Sequence, residues 1–375
     1  KPATSFNEKA LQQYQANRLS VIEEVVYEED DRIDLVIFIN GLALFAIELK
    51  FNPNGQSVQD AIKQLKGRNP KNRLFRFEQG VLASFAVDTL EVYMTTQLKG
   101  QETYFLPFNM GKGEGIETGS GNPHNPDGVD TEYLWLDVLT MDSILQLVES
   151  FIFYEVDKSN SKKKTLIFPR YHQRRAVSRL LEDMKTNHTD NNYLIQHSAG
   201  SGKTNTIAWL AHSLVSLHDD QNRNIVDTVL IVTDRIVVDR QLQDAVRQIN
   251  HKNGVVKVMG DRETSSDLAD AIAGNTKIIA TTIHKFAQIN QSDWMSVGNT
   301  ANKKFAILID EAHSSTTGSY MSSVSQVLTE TDPENGTIDE VQEVTVADAI
   351  EQEIARTGKQ DNVSIIAFTA TPKAT

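Results

Sequence analysis

The 375-residue sequence has no cysteine. That excludes disulfide frameworks, zinc ribbons, iron–sulfur clusters and thiol nucleophiles, and leaves any metal site with oxygen or imidazole ligands, which favours a hard cation such as Mg²⁺. Long hydrophobic runs are also missing: nowhere do roughly 18 uncharged apolar residues follow one another, the least a membrane-spanning helix needs. The first ten residues lack the apolar core of a secretory signal, so the chain reads as soluble and cytoplasmic, with no membrane partner. An excess of positive charge is absent too, the formal net charge being −13. Its distribution matters more than its total. Residues 23–32 hold six acids and one base, residues 329–361 ten acids and two bases, and together they account for the whole imbalance. The remainder is neutral with basic clusters of its own, so the acidic total does not argue against nucleic acid.

At about 100–200 residues per domain the length calls for two domains or three. The first half reads as a helix from Glu8 to Leu19, apolar strands from Asp34 to Ile39 and from Leu42 to Lys50, a helix around Val58 to Leu65, and strands near Val81 to Val87 and Glu91 to Thr95. Between Gly111 and Gly128 a glycine- and proline-rich stretch cannot supply a core and reads as a mobile loop. A helical pattern follows from Asp142 to Tyr154, and the polar, basic run after it sets the boundary: one domain over 1–154, a linker over 155–168, a second domain over 169–375. In the second domain five short apolar runs recur, Tyr193 to Gln196, Thr228 to Thr233, Lys277 to Thr282, Phe305 to Ile309 and Val363 to Phe368, and several of the intervals between them hold helix-compatible stretches. The fold class is therefore α/β, with repeated βα units feeding a parallel sheet whose ligands bind beyond the carboxyl ends of the strands.

The strand at Tyr193 runs into His197-Ser198-Ala199-Gly200-Ser201-Gly202-Lys203-Thr204 and then a helix-compatible stretch to Leu217. Main-chain N–H groups from Ala199 to Gly202 at a helix N-terminus can cradle phosphates, Lys203 can reach the β and γ oxygens, and the Thr204 hydroxyl can ligate Mg²⁺. The spacing is that of a P-loop, with His197 where the first glycine usually stands. Further on, the run from Phe305 to Ile309 ends in Asp310-Glu311-Ala312-His313. A carboxylate at the end of a buried strand beside the P-loop strand can hold the Mg²⁺ that bridges the phosphates, and the next can orient an attacking water; Asp310 takes the metal role and Glu311 the base role.

With AGSGKT at 199–204, DEAH at 310–313 and FTATP at 368–372, the second half resembles the helicases and translocases of superfamily 2. The resemblance implies ATP as cofactor and two RecA-like lobes, of which this sequence holds the first, so the piece by itself is expected to bind ATP weakly and hydrolyse it poorly. It assigns Gln173, in Arg170-Tyr171-His172-Gln173, to the adenine. It also assigns to the DNA backbone two intermediate motifs, Thr233-Asp234-Arg235 and Thr281 to Phe286, with Arg235 and Lys285 as the contacting bases. Taken alone, Thr233 and Thr282 read equally well as polar caps of strand ends.

In the first half Asp34 opens one strand, Glu48 and Lys50 close the next, and Asn40-Gly41 between them is a strong hairpin signal. Hydrolysing a phosphodiester needs carboxylates to hold Mg²⁺ by the scissile phosphate and a cation to position the attacking water, so Asp34 and Glu48 suit the metal and Lys50 the water. The register decides whether they can meet. A two-residue Asn40-Gly41 turn sets Asp34 opposite Ile47, on the other face from Glu48; a three-residue loop from Ile39 to Gly41, or an equivalent bulge, puts all three on one face. Lys63, Lys66, Arg68, Lys71, Arg73 and Arg76 follow without a single acid, where a phosphate backbone could track away from the metal; Lys63, Lys66 and Arg68 are the leading candidates. The plainer alternatives are a hairpin with solvated charged ends and a solvated basic surface.

Asp34 with Glu48-Leu49-Lys50 resembles the PD-(D/E)xK nucleases, and INGLALFAIELK at 39–50, joined to the motor lobe in this order, resembles the R subunit of type I restriction–modification enzymes. Some relatives carry a glutamine followed four residues later by a tyrosine on the next helix; here Gln64 is present and Arg68 stands for the tyrosine, which leaves the role of Gln64 open. The resemblance implies a motor that pulls double-stranded DNA past a complex anchored by methyltransferase and specificity subunits, and a nuclease that cuts it. One rival is a helicase or repair translocase with an N-terminal domain that binds DNA without cutting; another, of a different class, is a non-catalytic assembly module. The acids at 23–31 either repel DNA until Mg²⁺ is bound or form a solvated loop, and those at 329–361 read as an insertion away from the DNA track.

Overall fold

The computed structural model describes residues 8–29, 31–112, 121–157, 159–160, 163–189, 191–198, 200–233, 240–249, 255–260, 262–282, 285, 303–310 and 362–370. The chain divides into two compact units, Lys1–Arg174 and Arg175–Thr375.

In the first unit α1 (Glu8–Gln15) precedes β1 (Leu19–Glu28), β2 (Asp31–Ile39) and β3 (Leu42–Leu49); then come α2 (Val58–Gly67), β4 (Ala83–Val87), β5 (Val92–Thr95) and β6 (Leu106–Pro107). The six strands form one sheet in chain order, antiparallel throughout except that β3 and β4 run parallel. That one parallel pair needs a crossover, and α2 supplies it. Val58, Ala61, Ile62 and Leu65 recur at helical spacing and are the residues α2 buries, against Ile33, Val36, Ala46 and Ala86 of the sheet. The start of α2 is fixed by Asp88, whose Oδ2 accepts the Val58 N–H at 2.7 Å, and by Asp60, whose Oδ2 accepts the Ser57 N–H at 2.8 Å.

Three expectations are corrected in this unit. The helix from Glu8 stops at Gln15, and most of the acidic stretch read as a solvated loop, from Glu23 to Glu28, lies in the edge strand β1, paired with β2 from Leu19↔Ile39 to Glu28↔Asp31. With one edge unpaired and most of its side chains exposed, β1 can carry acids that a central strand could not. After α3 (Met141–Gln146), the segment 155–168 is not a linker but contributes to an antiparallel hairpin of β7 (Phe153–Val156) and β8 (Lys164–Ile167). Phe168, just beyond it, packs edge-on against Phe45, Phe85 and Phe108. Of the glycine-rich stretch, residues 113–120 lie outside the described residues, and Asn122 pins its end by accepting the Met110 N–H and donating to the Leu90 carbonyl, each at 2.8 Å.

From α4 (Tyr171–Asn187), which crosses the division, the second unit continues with β9 (Tyr193–His197), α5 (Lys203–Leu214), β10 (Thr228–Thr233), α6 (Arg240–Ile249), β11 (Val256–Val258), α7 (Ser265–Ala273), β12 (Ile278–Thr282), β13 (Phe305–Asp310) and β14 (Val363–Ala370). The sheet is wholly parallel in the order β11-β12-β10-β13-β14-β9. Helices on a parallel sheet bury both of its faces, which is why β10 and β12 are buried along their whole length. Only the three-residue β11 was not legible as an apolar run. No described helix is long and apolar enough to cross a membrane.

Candidate active sites

In the first unit β2 and β3 are joined by a two-residue turn: Ile39 pairs with Leu42, and Asn40 and Gly41 have φ of 51° and 83°. Two successive left-handed residues are what a type I′ hairpin demands. The three-residue loop is therefore wrong, and the turn alone would separate Asp34 from Glu48. A bulge reverses this. Phe38 pairs with Ala43 but Ile37 with Phe45, so Leu44 is an extra residue on β3. Beyond it Leu35 pairs with Ile47, and the same register sets Asp34 opposite Glu48, on one face of the sheet.

The polar contacts at this end are dense. Glu48 is wholly buried; Lys50 Nζ lies 3.2 Å from its Oε1, and Arg68 Nη2 donates to its Oε2 at 3.1 Å. Lys50 Nζ also donates to the Leu49 carbonyl at 3.0 Å, and Asp34 Oδ2 accepts the Leu49 N–H at 2.7 Å. Burial pushes the Glu48 pKa up, the neighbouring Asp34 charge adds to the rise, and Lys50 and Arg68 oppose it. Two carboxylates and the Leu49 carbonyl form an oxygen donor set suited to Mg²⁺, which is commonly held by one or two carboxylates with water completing its shell. Among the described residues no group of three His, Cys, Asp or Glu side chains offers a denser alternative.

A pH dependence follows. Because the folded state raises the Glu48 pKa, its protonated form is favoured on folding, and the associated stability is lost as pH rises through that raised value. A divalent cation offsets the cost of the ionised form. The rise in Tm produced by Mg²⁺ is therefore expected to be larger at pH 8 than at pH 5 and to disappear in Glu48→Gln; thermal unfolding at the two pH values checks this, and an equal rise at both contradicts it.

The basic segment divides. Lys63 is exposed and Lys66 half-buried on α2, and Gln64 is exposed. Arg68 is not an outward-facing DNA contact as expected: it is 7% exposed and committed to Glu48 and Asp31. Spacing shows that Arg68 follows the helix but not that the chain there turns its side chain under the sheet.

In the second unit β9 ends at His197, Gly200 and Gly202 adopt φ of 74° and 86°, and α5 starts at Lys203. These left-handed positions explain the glycines and aim the first N–H groups of α5 into the loop. His197, in the place of the usual first glycine, is buried; its Nδ1 lies 2.8 Å from Ser201 Oγ and its ring is 6.1 Å from that of Phe368. Lys203 Nζ and Asp310 Oδ1 form an ion pair at 2.8 Å. The expectation that the Asp310 strand adjoins the P-loop strand is corrected: β14, the FTATP strand, lies between β13 and β9. Lys203 is long enough to reach past it. Thr204 sits half-buried in the first turn of α5.

Gln173 is buried on the first turn of α4, and its Oε1 accepts the Arg170 N–H at 2.8 Å, so it also caps its own helix. Thr233 and Thr282 are buried at paired strand ends, Thr233 facing both Thr282 and Asp310 across neighbouring strands. Lys285 is corrected as a DNA contact: its ammonium is held by the carbonyls of Met259, Gly260 and Glu263. Ala199, Asp234, Arg235, Ile283, His284, Phe286, Glu311, Ala312, His313, Thr371, Pro372 and the acidic stretch 329–361 lie outside the described residues.

Comparison with known proteins follows the same division. Residues 172–375 match the SWI2/SNF2 ATPase family, and residues 8–103 match the N terminus of type I restriction enzyme R proteins. A putative type I restriction enzyme endonuclease subunit of Methanocaldococcus jannaschii is 26% identical over 332 residues, covering 83% of this chain and 30% of that protein. A type I restriction enzyme endonuclease subunit of Staphylococcus aureus is 26% identical over 318 residues, covering 80% and 30%. Among solved structures, a fragment of a putative HsdR subunit of a type I restriction enzyme from Vibrio vulnificus aligns with 98% of this chain and 54% of its own, at 14% identity and a TM-score of 0.32. The chain spans about 30% of the length of the curated relatives it matches.

Proposed function

The chain belongs to the R-subunit family of type I restriction enzymes, an R-protein N terminus followed by a SWI2/SNF2 ATPase module, and from this premise we propose that it couples ATP hydrolysis to movement along double-stranded DNA and cuts that DNA with Mg²⁺. In this reading it works in a complex with methyltransferase and specificity subunits. The observation that carries it is the bulge at Leu44, which turns Asp34 to the face of Glu48 and Lys50 at the end of one hairpin. A solvated hairpin end has no use for a wholly buried glutamate beside a lysine.

Asp34, Glu48 and the Leu49 carbonyl would hold the metal, and Lys50 keeps an ammonium group where an attacking water must be oriented. Mg²⁺ bound there supplies Lewis-acid stabilisation of the scissile phosphate and a more acidic water. In the ATPase module, Gln173 takes the adenine, the main chain from Ala199 to Gly202 the phosphates, Lys203 the β and γ oxygens, Thr204 and Asp310 the metal, and Glu311 the attacking water. Of the leading candidates, Lys63, Lys66 and Arg235 remain for the DNA backbone. The test is DNA cleavage by the reconstituted complex carrying Asp34→Ala or Lys50→Ala: cleavage is lost in the first and falls steeply in the second, while DNA-stimulated ATP hydrolysis persists.

A further inference from the structure

Arg68 follows the last residue of α2, where φ of −67° and ψ of 145° turn the chain out of the helix. Its side chain, 7% exposed, is split between two carboxylates: Nη1 binds Asp31 Oδ1 at 3.0 Å and Nη2 binds Glu48 Oε2 at 3.1 Å. The guanidinium carbon is 5.6 Å from the centroid of the Tyr27 ring. The two acids differ: Glu48 is wholly buried, whereas Asp31, the first residue of β2, is about half exposed, at 49%. Lys50 takes the other Glu48 oxygen. Both oxygens of one proposed metal ligand thus already face cations. A guanidinium cannot shed its proton, so its charge leaves the carboxylate only if the group moves. A divalent ion brought to Glu48 is repelled by that charge at short range in a poorly screened site. The fork geometry offers a direction of release: the arm on Asp31 can stay while the arm on Glu48 lets go.

We propose that Arg68 is a resident counter-cation of Glu48 that swings onto Asp31 when a divalent metal binds, so that Arg68 and Asp31 together set the metal affinity of the site. The proposal rests on the nuclease reading of Asp34, Glu48 and Lys50. It gives the end of the β1–β2 hairpin a function: Tyr27 lies near the end of β1 and Asp31 opens β2, so the two strand ends form the seat that receives the arginine. Arg68 is a positioning residue on this account, acting on the metal through Glu48.

The experiment is titration of the full-length protein with Mn²⁺, following free Mn²⁺ by electron paramagnetic resonance, with metal-free Tm measured for every variant. Arg68→Met is expected to tighten Mn²⁺ binding about tenfold, equivalent to ~1.4 kcal/mol, while lowering the metal-free Tm because Glu48 loses a partner. Asp31→Asn has the opposite sign: with no seat to move to, Arg68 stays on Glu48 and binding weakens roughly fivefold, the size of a modest charge interaction. In the Arg68→Met background the same Asp31→Asn change should add less than about twofold, because the coupling has been removed. Unchanged or weaker binding in Arg68→Met, or an equal effect of Asp31→Asn in both backgrounds, overturns the proposal. If Arg68→Met does not fold, Asp31→Asn alone still decides, since unchanged or tighter binding there contradicts it. Failure of the nuclease reading looks different: Asp34→Ala would leave Mn²⁺ binding to the otherwise unaltered protein untouched.

Discussion

Lys203→Ala should lower ATP hydrolysis by about 10²–10³-fold, the scale on which removal of one preorganised group that stabilises developing charge is felt, and ATP-dependent DNA cleavage by the assembled complex should fall with it. Lys203 opens α5 directly after two glycines held at positive φ, so its amine projects from the loop that would cradle the phosphates. Its 2.8 Å ion pair with Asp310 draws together the ends of two strands that β14 separates. The γ-phosphate and its metal would meet the lysine and the aspartate at that point. Alanine removes the cation and leaves Asp310 without this partner, so the effect falls on nucleotide chemistry rather than on DNA binding, which should persist in a gel-shift assay. An assembly module that uses the loop only to lock subunits together predicts cleavage unchanged in Lys203→Ala.

The second large effect belongs to the first unit. Asp34→Ala should abolish metal-dependent cleavage, because Lewis-acid stabilisation by the ion is worth several kcal/mol and half of the carboxylate set is gone. Lys50→Ala should reduce cleavage by about 10²–10⁴-fold, as expected where a positioned group manages a proton in the transition state. ATP hydrolysis should stay within about twofold in both, since independent sites contribute additively. A translocase whose N-terminal domain binds DNA without cutting predicts instead that neither variant alters any nuclease activity. The two substitutions also differ in their structural cost. Asp34 accepts the Leu49 N–H and Lys50 is one of two cations on the buried Glu48, so each variant's Tm is needed to separate chemistry from folding.

How much of this was legible in the sequence depended on which physical signal each residue carried. The parallel sheet of the second unit was read well because buried strands are continuous apolar runs, and Gly200 and Gly202 mark backbone conformations that other residues avoid. What failed was whatever depended on neighbours in space. β1 carries Glu23, Glu24 and Glu28 on a largely exposed strand, and its place at a sheet edge makes that tolerable. The bulge at Leu44 leaves no mark in INGLALFAIELK, so the convergence of Asp34 and Glu48 could be required of the sequence but its means could not be chosen. The order of strands is invisible to periodicity, which is how β14 came to lie between β13 and β9 unannounced. Arg68 and Lys285 were read as DNA contacts by composition or by motif position; the structure commits one to a buried glutamate and the other to three carbonyls. A long basic side chain shows its charge in the sequence and its partner only in the fold.

The central claim is that Asp34 and Glu48 share one metal ion. Its most direct test is the anomalous difference map of a crystal of the protein grown or soaked with Mn²⁺. The account predicts a single strong peak between the two carboxylates, about 2.1 Å from an oxygen of each, as a hexacoordinate oxygen site requires, and predicts its loss in Asp34→Ala. A DNA-cleaving complex whose crystals bind Mn²⁺ elsewhere, with no peak between Asp34 and Glu48, would contradict it.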